Sequence, residues 1–257
     1  MSTDKKKKKI PNRVWVYLFL IIACIVGIVY VLRLPEYQIA NISVQGDVLT
    51  KKEDISKIVE DYLSHNYFYI IPQSNIWIYP KKKILRDIRS LSSIEMAEID
   101  LDRKEKRLSV TIKERKHEYV WCDSENICFY MDRDGYIFSK APTIEGSVFL
   151  TFRGQILDDP IGKYFLTKNI VSGFISLISS LDNLGINING VNVLSERDVR
   201  LVLDTKTEII VSLGESLDSV SKNVETLINS NEFVNASGGI KNIEYIDMRY
   251  GKKAFWK

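Results

Sequence analysis

From Val14 to Leu32 the chain reads VWVYLFLIIACIVGIVYVL, 19 residues without a charge or a proline. No other stretch restricts the fold as sharply. At 1.5 Å per residue the run makes a helix of roughly 28 Å, close to the ~30 Å hydrocarbon core of a bilayer. A helix inside a protein core usually keeps a polar stripe, and here only Cys24, Gly27 and the tyrosines break the apolar surface. Trp15, Tyr17 and Tyr30 lie near the two ends, where amphipathic rings favour the headgroup zone. A cleaved signal peptide has a shorter apolar region of about 7–15 residues and a small-x-small site. The residues that follow here are Arg33-Leu34-Pro35-Glu36-Tyr37. The expectation is an uncleaved signal anchor over 14–34, crossing the bilayer from Val14 to Leu32.

Charge sets the expected orientation. Lys5 to Lys9 and Arg13 oppose only Asp4 in residues 1–13, a balance of +5, while the whole chain is +3. Residues 14–257 therefore carry −2. Basic flanks stay cytoplasmic, which puts 1–13 inside and the bulk of the chain outside, a single-pass type II arrangement. A lysine run can also bind nucleic acid, but this one adjoins a span and the remainder has no basic excess.

The outer part, about 220 residues, suffices for one or two domains. Three cysteines are too few for a disulfide scaffold. Cys24 falls in the span. Cys122 and Cys128 flank Asp123-Ser124-Glu125-Asn126, a hairpin-like loop. A register that sets them opposite allows a disulfide in an oxidising exterior; two isolated buried thiols fit the residues as well. His65 and His117 are far apart, and no Cys/His spacing suggests a metal.

Residues 37–116 read as β-α-(α)-β-β. Tyr37–Gly46 has loosely alternating β-branched residues ending at a glycine. Thr50 and Glu53 have capping-box spacing, and Ile55, Ile58, Val59, Tyr62 and Leu63 form one helical face. A second helix is expected from Pro80 to about Leu91. Ala97, Ile99 and Leu101, then Leu108, Val110 and Ile112, alternate with polar residues as half-buried antiparallel strands do. Arg103-Lys104-Glu105-Lys106 makes their turn.

After a boundary near Lys116 the character changes. Asp134-Gly135 separates two apolar strands, a hairpin signal. Asp132 and Asp134 lack the later ligands of a calcium loop. A helix covers 167–185, with Gly185 as its C-terminal cap. Strands are expected near 191–194, 199–203 and 208–213, a helix over 216–228, then a strand over Ile243–Tyr250, a turn at Gly251 and a terminal strand. The fold class is α+β: one transmembrane helix, a small β-α-α-β-β module, and a mixed α/β domain with an antiparallel sheet.

Five motifs occur in this order: Ile42-Ser43-Val44-Gln45-Gly46, Leu49-Thr50-Lys51-Lys52-Glu53-Asp54-Ile55, Val110-Thr111-Ile112-Lys113-Glu114-Arg115, Asp132-Arg133-Asp134-Gly135-Tyr136-Ile137-Phe138 and Tyr245-Ile246-Asp247-Met248-Arg249-Tyr250. With the basic tail and single span, the pattern resembles the FtsQ/DivIB bacterial cell-division proteins. The resemblance implies a cytoplasmic tail (1–13), a signal anchor (14–34), a POTRA domain (35–116) and a β domain (117–257). It also implies a non-enzymatic divisome scaffold in the cytoplasmic membrane at the septum, linked to peptidoglycan synthesis. Its partners would be small bitopic coiled-coil proteins of the FtsB and FtsL (DivIC) kind, with no cofactor or nucleic acid.

Partner binding is expected at a terminal strand that leaves backbone groups open to a second strand. Its anchors would be Tyr245, Ile246, Asp247, Met248, Arg249, Tyr250, Phe255 and Trp256, several of them of hot-spot type. Alternation allows only half of these to meet a partner. With Ile246 and Met248 inward, Asp247, Arg249 and Tyr245 point outward. An enzyme would need a nucleophile with its base, a metal cluster or paired carboxylates, and none is legible. The alternative function is a membrane-anchored POTRA adaptor in another envelope assembly or secretion complex.

Overall fold

The computed structural model describes residues 12–46, 52–142, 149–154, 159–195, 197–213, 217–251 and 253–257. The basic tail before Asn12 and the capping residue Thr50 lie outside the described residues. Helix α1 (Asn12–Leu32) is 21 residues long. Among the described residues it is the one helix long and apolar enough to cross a membrane, and none of it is buried. It stops two residues before the expected end at 34. Pro35 drives the preceding residue out of the helical region, and Leu34 is extended, with φ −61° and ψ 139°.

The chain divides into two compact units, the first ending at Glu114 and the second beginning at Arg115. After α1 the first unit contains β1 (Asn41–Gln45), α2 (Lys52–Ser64), the short strands β2 (Asn66–Tyr67) and β3 (Ile71–Pro72), α3 (Lys81–Arg89), β4 (Ile94–Asp102) and β5 (Arg107–Glu114). The three longer strands form a sheet in the order β1-β5-β4. β1 runs parallel to β5, Ile42 beside Leu108, and β4 runs antiparallel to it, Ala97 beside Ile112.

Period-2 patterning explains the sheet. Ala97, Ile99, Leu108, Val110 and Ile112 are buried, while Glu98, Asp100 and Thr111 between them are exposed. The buried face meets Ile55 and Val59 of α2 and Ile84 and Ile88 of α3. Asp102 closes the β4–β5 turn by accepting the backbone N–H groups of Lys104 and Glu105 at 2.9 and 3.1 Å. These bonds hold its carboxyl below the ordinary carboxylate range.

The second unit contains β6 (Tyr119–Cys122), β7 (Cys128–Met131), β8 (Ile137–Lys140), β9 (Thr151–Arg153), α4 (Lys168–Asp182), β10 (Ile188–Val193), β11 (Asp198–Leu203), β12 (Glu208–Ser212), α5 (Leu217–Ile228), α6 (Asn231–Ser237), β13 (Tyr245–Tyr250) and β14 (Lys253–Trp256). Its strands form one sheet, in the order β14-β13-β12-β11-β10-β9-β6-β7-β8. The sheet is mixed rather than antiparallel throughout: β9 is parallel to both β6 and β10, and β12 is parallel to β13. A parallel pair needs a crossover of a dozen or more residues. The two expected helices lie in such crossovers, α4 between β9 and β10, and α5 with α6 between β12 and β13.

Helix α4 buries Val171, Phe174, Leu177 and Leu181. Its end is closed by Gly185 (φ +77°): the Gly185 N–H meets the Asp182 carbonyl at 2.8 Å and the Ile186 N–H meets that of Leu181 at 3.0 Å. Helix α6 is new to the sequence reading. Ser230 caps it by accepting the Phe233 N–H at 3.2 Å, and Phe233 is buried. Asp132 organises the β7–β8 turn. One carboxylate oxygen accepts the N–H groups of Asp134 and Tyr136, and the other pairs with Arg115, whose guanidinium lies 4.0 Å from the centre of the Tyr136 ring. Cys122 and Cys128 sit opposite each other in the β6–β7 register and are joined by a disulfide.

Gly46 ends β1 at φ +123°, and an added Cβ would fall 2.1 Å from the carbonyl oxygen of Ile112. Both the backbone angle and the contact forbid a side chain. Gly46→Ala should destabilise the first unit by at least about 2 kcal/mol, read as an earlier urea transition of the detergent-solubilised chain.

Candidate functional site: the terminal sheet edge

The last two strands form a hairpin turned at Gly251, whose φ of +67° suits glycine. Asn223 of α5 supports the turn by donating to the Gly251 carbonyl at 3.2 Å. β13 is parallel to β12 on one side and antiparallel to β14 on the other. The open edge is β14, because the chain doubles back over its predecessor.

Backbone bonding gives that edge a direction. Tyr245 and Lys257 exchange both backbone bonds, at 3.4 and 3.3 Å. In an antiparallel ladder the neighbouring residue then turns its N–H and C=O away from the partner strand. Trp256 therefore directs its backbone groups to the open side.

Side chains divide by face. Ile246 and Met248 are buried, and Ala254 and Trp256 pack beside them. The Trp256 ring meets the buried Phe233 edge-on, with centroids 5.3 Å apart. Trp256 is thus half core, and its truncation would open a cavity. The outward aromatics are Tyr250 (58% exposed) and Phe255 (52% exposed), edge to face at 5.4 Å.

Asp247 also departs from the simple alternation. It lies off the Ile246–Met248 face, yet is only 7% exposed. Arg249 covers it, donating from Nε at 2.9 Å, from Nη2 at 2.7 Å and from its backbone N–H at 3.1 Å. The same guanidinium reaches across β12 to Asp198 of β11 at 3.0 Å. Arg249 holds the Asp247 carboxyl below its ordinary range, and its own guanidinium is pushed up by these carboxylates. The expected outward pair is a clamp that holds β13 in place. Of the eight residues singled out in the sequence, Tyr250 and Phe255 are strongly exposed, Tyr245, Arg249 and Trp256 are partly so, and Ile246, Asp247 and Met248 are buried.

No protein-family model matches the chain. Two curated proteins match along its length. Cell division protein DivIB of Clostridium botulinum strain Hall is 25% identical over 271 aligned positions, covering 100% of this chain and 97% of that protein. Cell division protein DivIB of the Loch Maree strain is 24% identical with the same coverage. Along its whole length the chain is thus similar to these two cell-division proteins. Both alignments take in the edge hairpin as well as α1, so the likeness is not confined to one unit.

The clamp has a pH signature. Asp247 has a depressed folded pKa, so its stabilisation is complete above the ordinary carboxylate value and is lost as pH falls through the lower folded value. Asp247→Asn should cost about 1–2 kcal/mol at pH 7 after allowance for partial solvent screening. The gap to the unsubstituted protein should close at pH below the ordinary carboxylate range, which urea titrations across pH 2–7 would reveal.

Proposed function

We propose that this protein is a membrane-anchored, non-enzymatic scaffold of the cell-division machinery. In this reading α1 crosses the cytoplasmic membrane with the basic tail inside, and both units work on the outer side at the septum. The first unit serves as a POTRA-like module. The second captures small bitopic coiled-coil proteins of the FtsB and FtsL (DivIC) kind and couples them to septal peptidoglycan synthesis. The full-length likeness to two DivIB proteins supports the division role. The apolar, unburied α1 supports the anchor.

The observation that carries the binding role is the open β14 edge flanked by the exposed Tyr250–Phe255 pair. A partner strand would hydrogen-bond along the edge, and its neighbouring apolar residues would close over the two rings. Backbone pairing supplies adhesion without much sequence discrimination, and the aromatic pair supplies discrimination. Catalysis has no part in this reading.

Phe255→Ala should weaken capture of the coiled-coil partner at least tenfold, about 1.4 kcal/mol, with the unfolding transition unchanged. Trp256→Ala should lower stability as well, because that ring packs on Phe233. Equal capture by Phe255→Ala and the unsubstituted chain, measured by co-purification from solubilised membranes, would sink the edge-binding reading.

A further inference from the structure

The aromatic stretch between α2 and α3 breaks two local rules at once. β2 and β3 are joined by a tight turn in which the Ile70 N–H meets the Tyr67 carbonyl at 3.0 Å. Its central residues, Phe68 and Tyr69, have φ of +49° and +60°. A turn with both central residues left-handed prefers Asn-Gly, and bulky residues there cost roughly 1–2 kcal/mol each. The same two rings are 87% and 94% exposed, and Ile70 beside them is 49% exposed. Strain and exposed apolar surface together gain the folded unit nothing in water.

The turn is tied to the end of α1. Arg33, one residue past the helix, donates from Nε to the Ile70 carbonyl at 2.7 Å. The Leu32 carbonyl, one of the orphan acceptors of a helix end, receives Asn75 Nδ2 at 3.0 Å and Gln38 Nε2 at 2.7 Å. The Ile76 N–H bonds to the Tyr37 carbonyl at 2.9 Å, and the Trp77 and Tyr37 rings meet at a tilt of 35° with centroids 4.6 Å apart. Asn75 is fully buried, so this junction is built.

Length fixes the depth. The 19 uncharged helical residues from Val14 to Leu32 span about 28 Å, close to the hydrocarbon core. Leu32 then lies at one boundary and Arg33 in the headgroup layer. The carbonyl that Arg33 holds belongs to the exposed tip, which therefore lies at the same level. Basic and aromatic side chains gather there: Arg33, Lys106 reaching the Pro35 carbonyl at 3.4 Å, Tyr37 and Trp77.

We propose that Phe68, Tyr69 and Ile70 form a lipid-binding tip that dips into the headgroup–acyl boundary of the leaflet where α1 ends, and so fixes the tilt of the first unit over the bilayer. This rests on reading α1 as a span, but not on which side of the membrane the units face. Burial of two rings and a branched side chain in the interface offsets the turn's strain, and rings favour that zone. The bonds to Leu32 and Arg33 convert tip insertion into a second attachment point, so the unit cannot swivel freely about a single helix.

The test uses the full chain in phosphatidylethanolamine–phosphatidylglycerol vesicles, with Cys24→Ser and single nitroxide labels at Ile70→Cys, Ile22→Cys or Glu53→Cys. The oxygen-to-nickel collision ratio at position 70 should exceed that at 53 at least about threefold, as insertion into the boundary requires. Phe68→Asn with Tyr69→Gly gives the turn its preferred residues. It should keep or raise thermal stability, while the ratio at 70 falls to that at 53. A water-like ratio at 70 with a lipid-like one at 22 overturns the proposal, and the tip would then be a surface for a protein. An unchanged high ratio in the double variant also overturns it, since the rings would not be the anchor. Water-like values at both 22 and 70 would sink the span reading itself, and the proposal with it.

Discussion

From Val14 to Leu32 the helix α1 displays apolar side chains around its whole circumference, and among the described residues none of this surface is buried. Each would lose roughly 1.5–3 kcal/mol by standing in water instead of an apolar medium. Over the 19 residues from Val14 to Leu32 that penalty exceeds the whole stability of an ordinary domain, about 5–15 kcal/mol. The helix therefore needs hydrocarbon around it, and its backbone, fully bonded within itself, can accept that solvent. In the proposed anchor, everything after Leu32 folds starting from a point held at a membrane surface.

The second constraint is the period of the β-strand. In the last hairpin Ile246, Met248, Ala254 and Trp256 complete the core against α5 and α6, and this leaves Tyr250 and Phe255 with nowhere to go but outward. The exposed aromatic pair is thus the other side of a packing solution. The Arg249 clamp acts on the same hairpin. By bridging Asp247 and Asp198 over the intervening strand, it fixes β13, the strand on which β14 is laid.

What the sequence discloses depends on how local the cause is. The apolar run, the alternation over Ala97–Ile112, the heptad-like face of α4 and the Asp134-Gly135 turn are all local, and each element lies close to where its pattern predicts. β9 was missed because three residues cannot show a period, and its order comes from parallel neighbours on both sides. α6, seven residues long, is too short for a helical face, although Ser230 before it and Gly238 after it are usable cap signals. The turn at Phe68-Tyr69 carries no turn residues at all. At the edge, the residues were legible but their geometry was not: the sequence marks a strand, a glycine and a second strand, and only the pairing makes the second strand the boundary.

Pairing also decides which ring faces out. A slip of one residue in β14 would exchange its two faces, burying Phe255 and exposing Trp256. The larger indole fills the space beside Phe233, so the register that buries Trp256 is favoured by its packing area and by the edge-on ring contact. The residue that keeps Phe255 outward is therefore one whose own ring packs inward on Phe233. The open edge owes its direction to the same register, since it is the Tyr245–Lys257 pairing that turns the Trp256 backbone outward. Shape and backbone polarity at this edge are thus two consequences of one buried contact, and a change that loosens the indole would scramble both together.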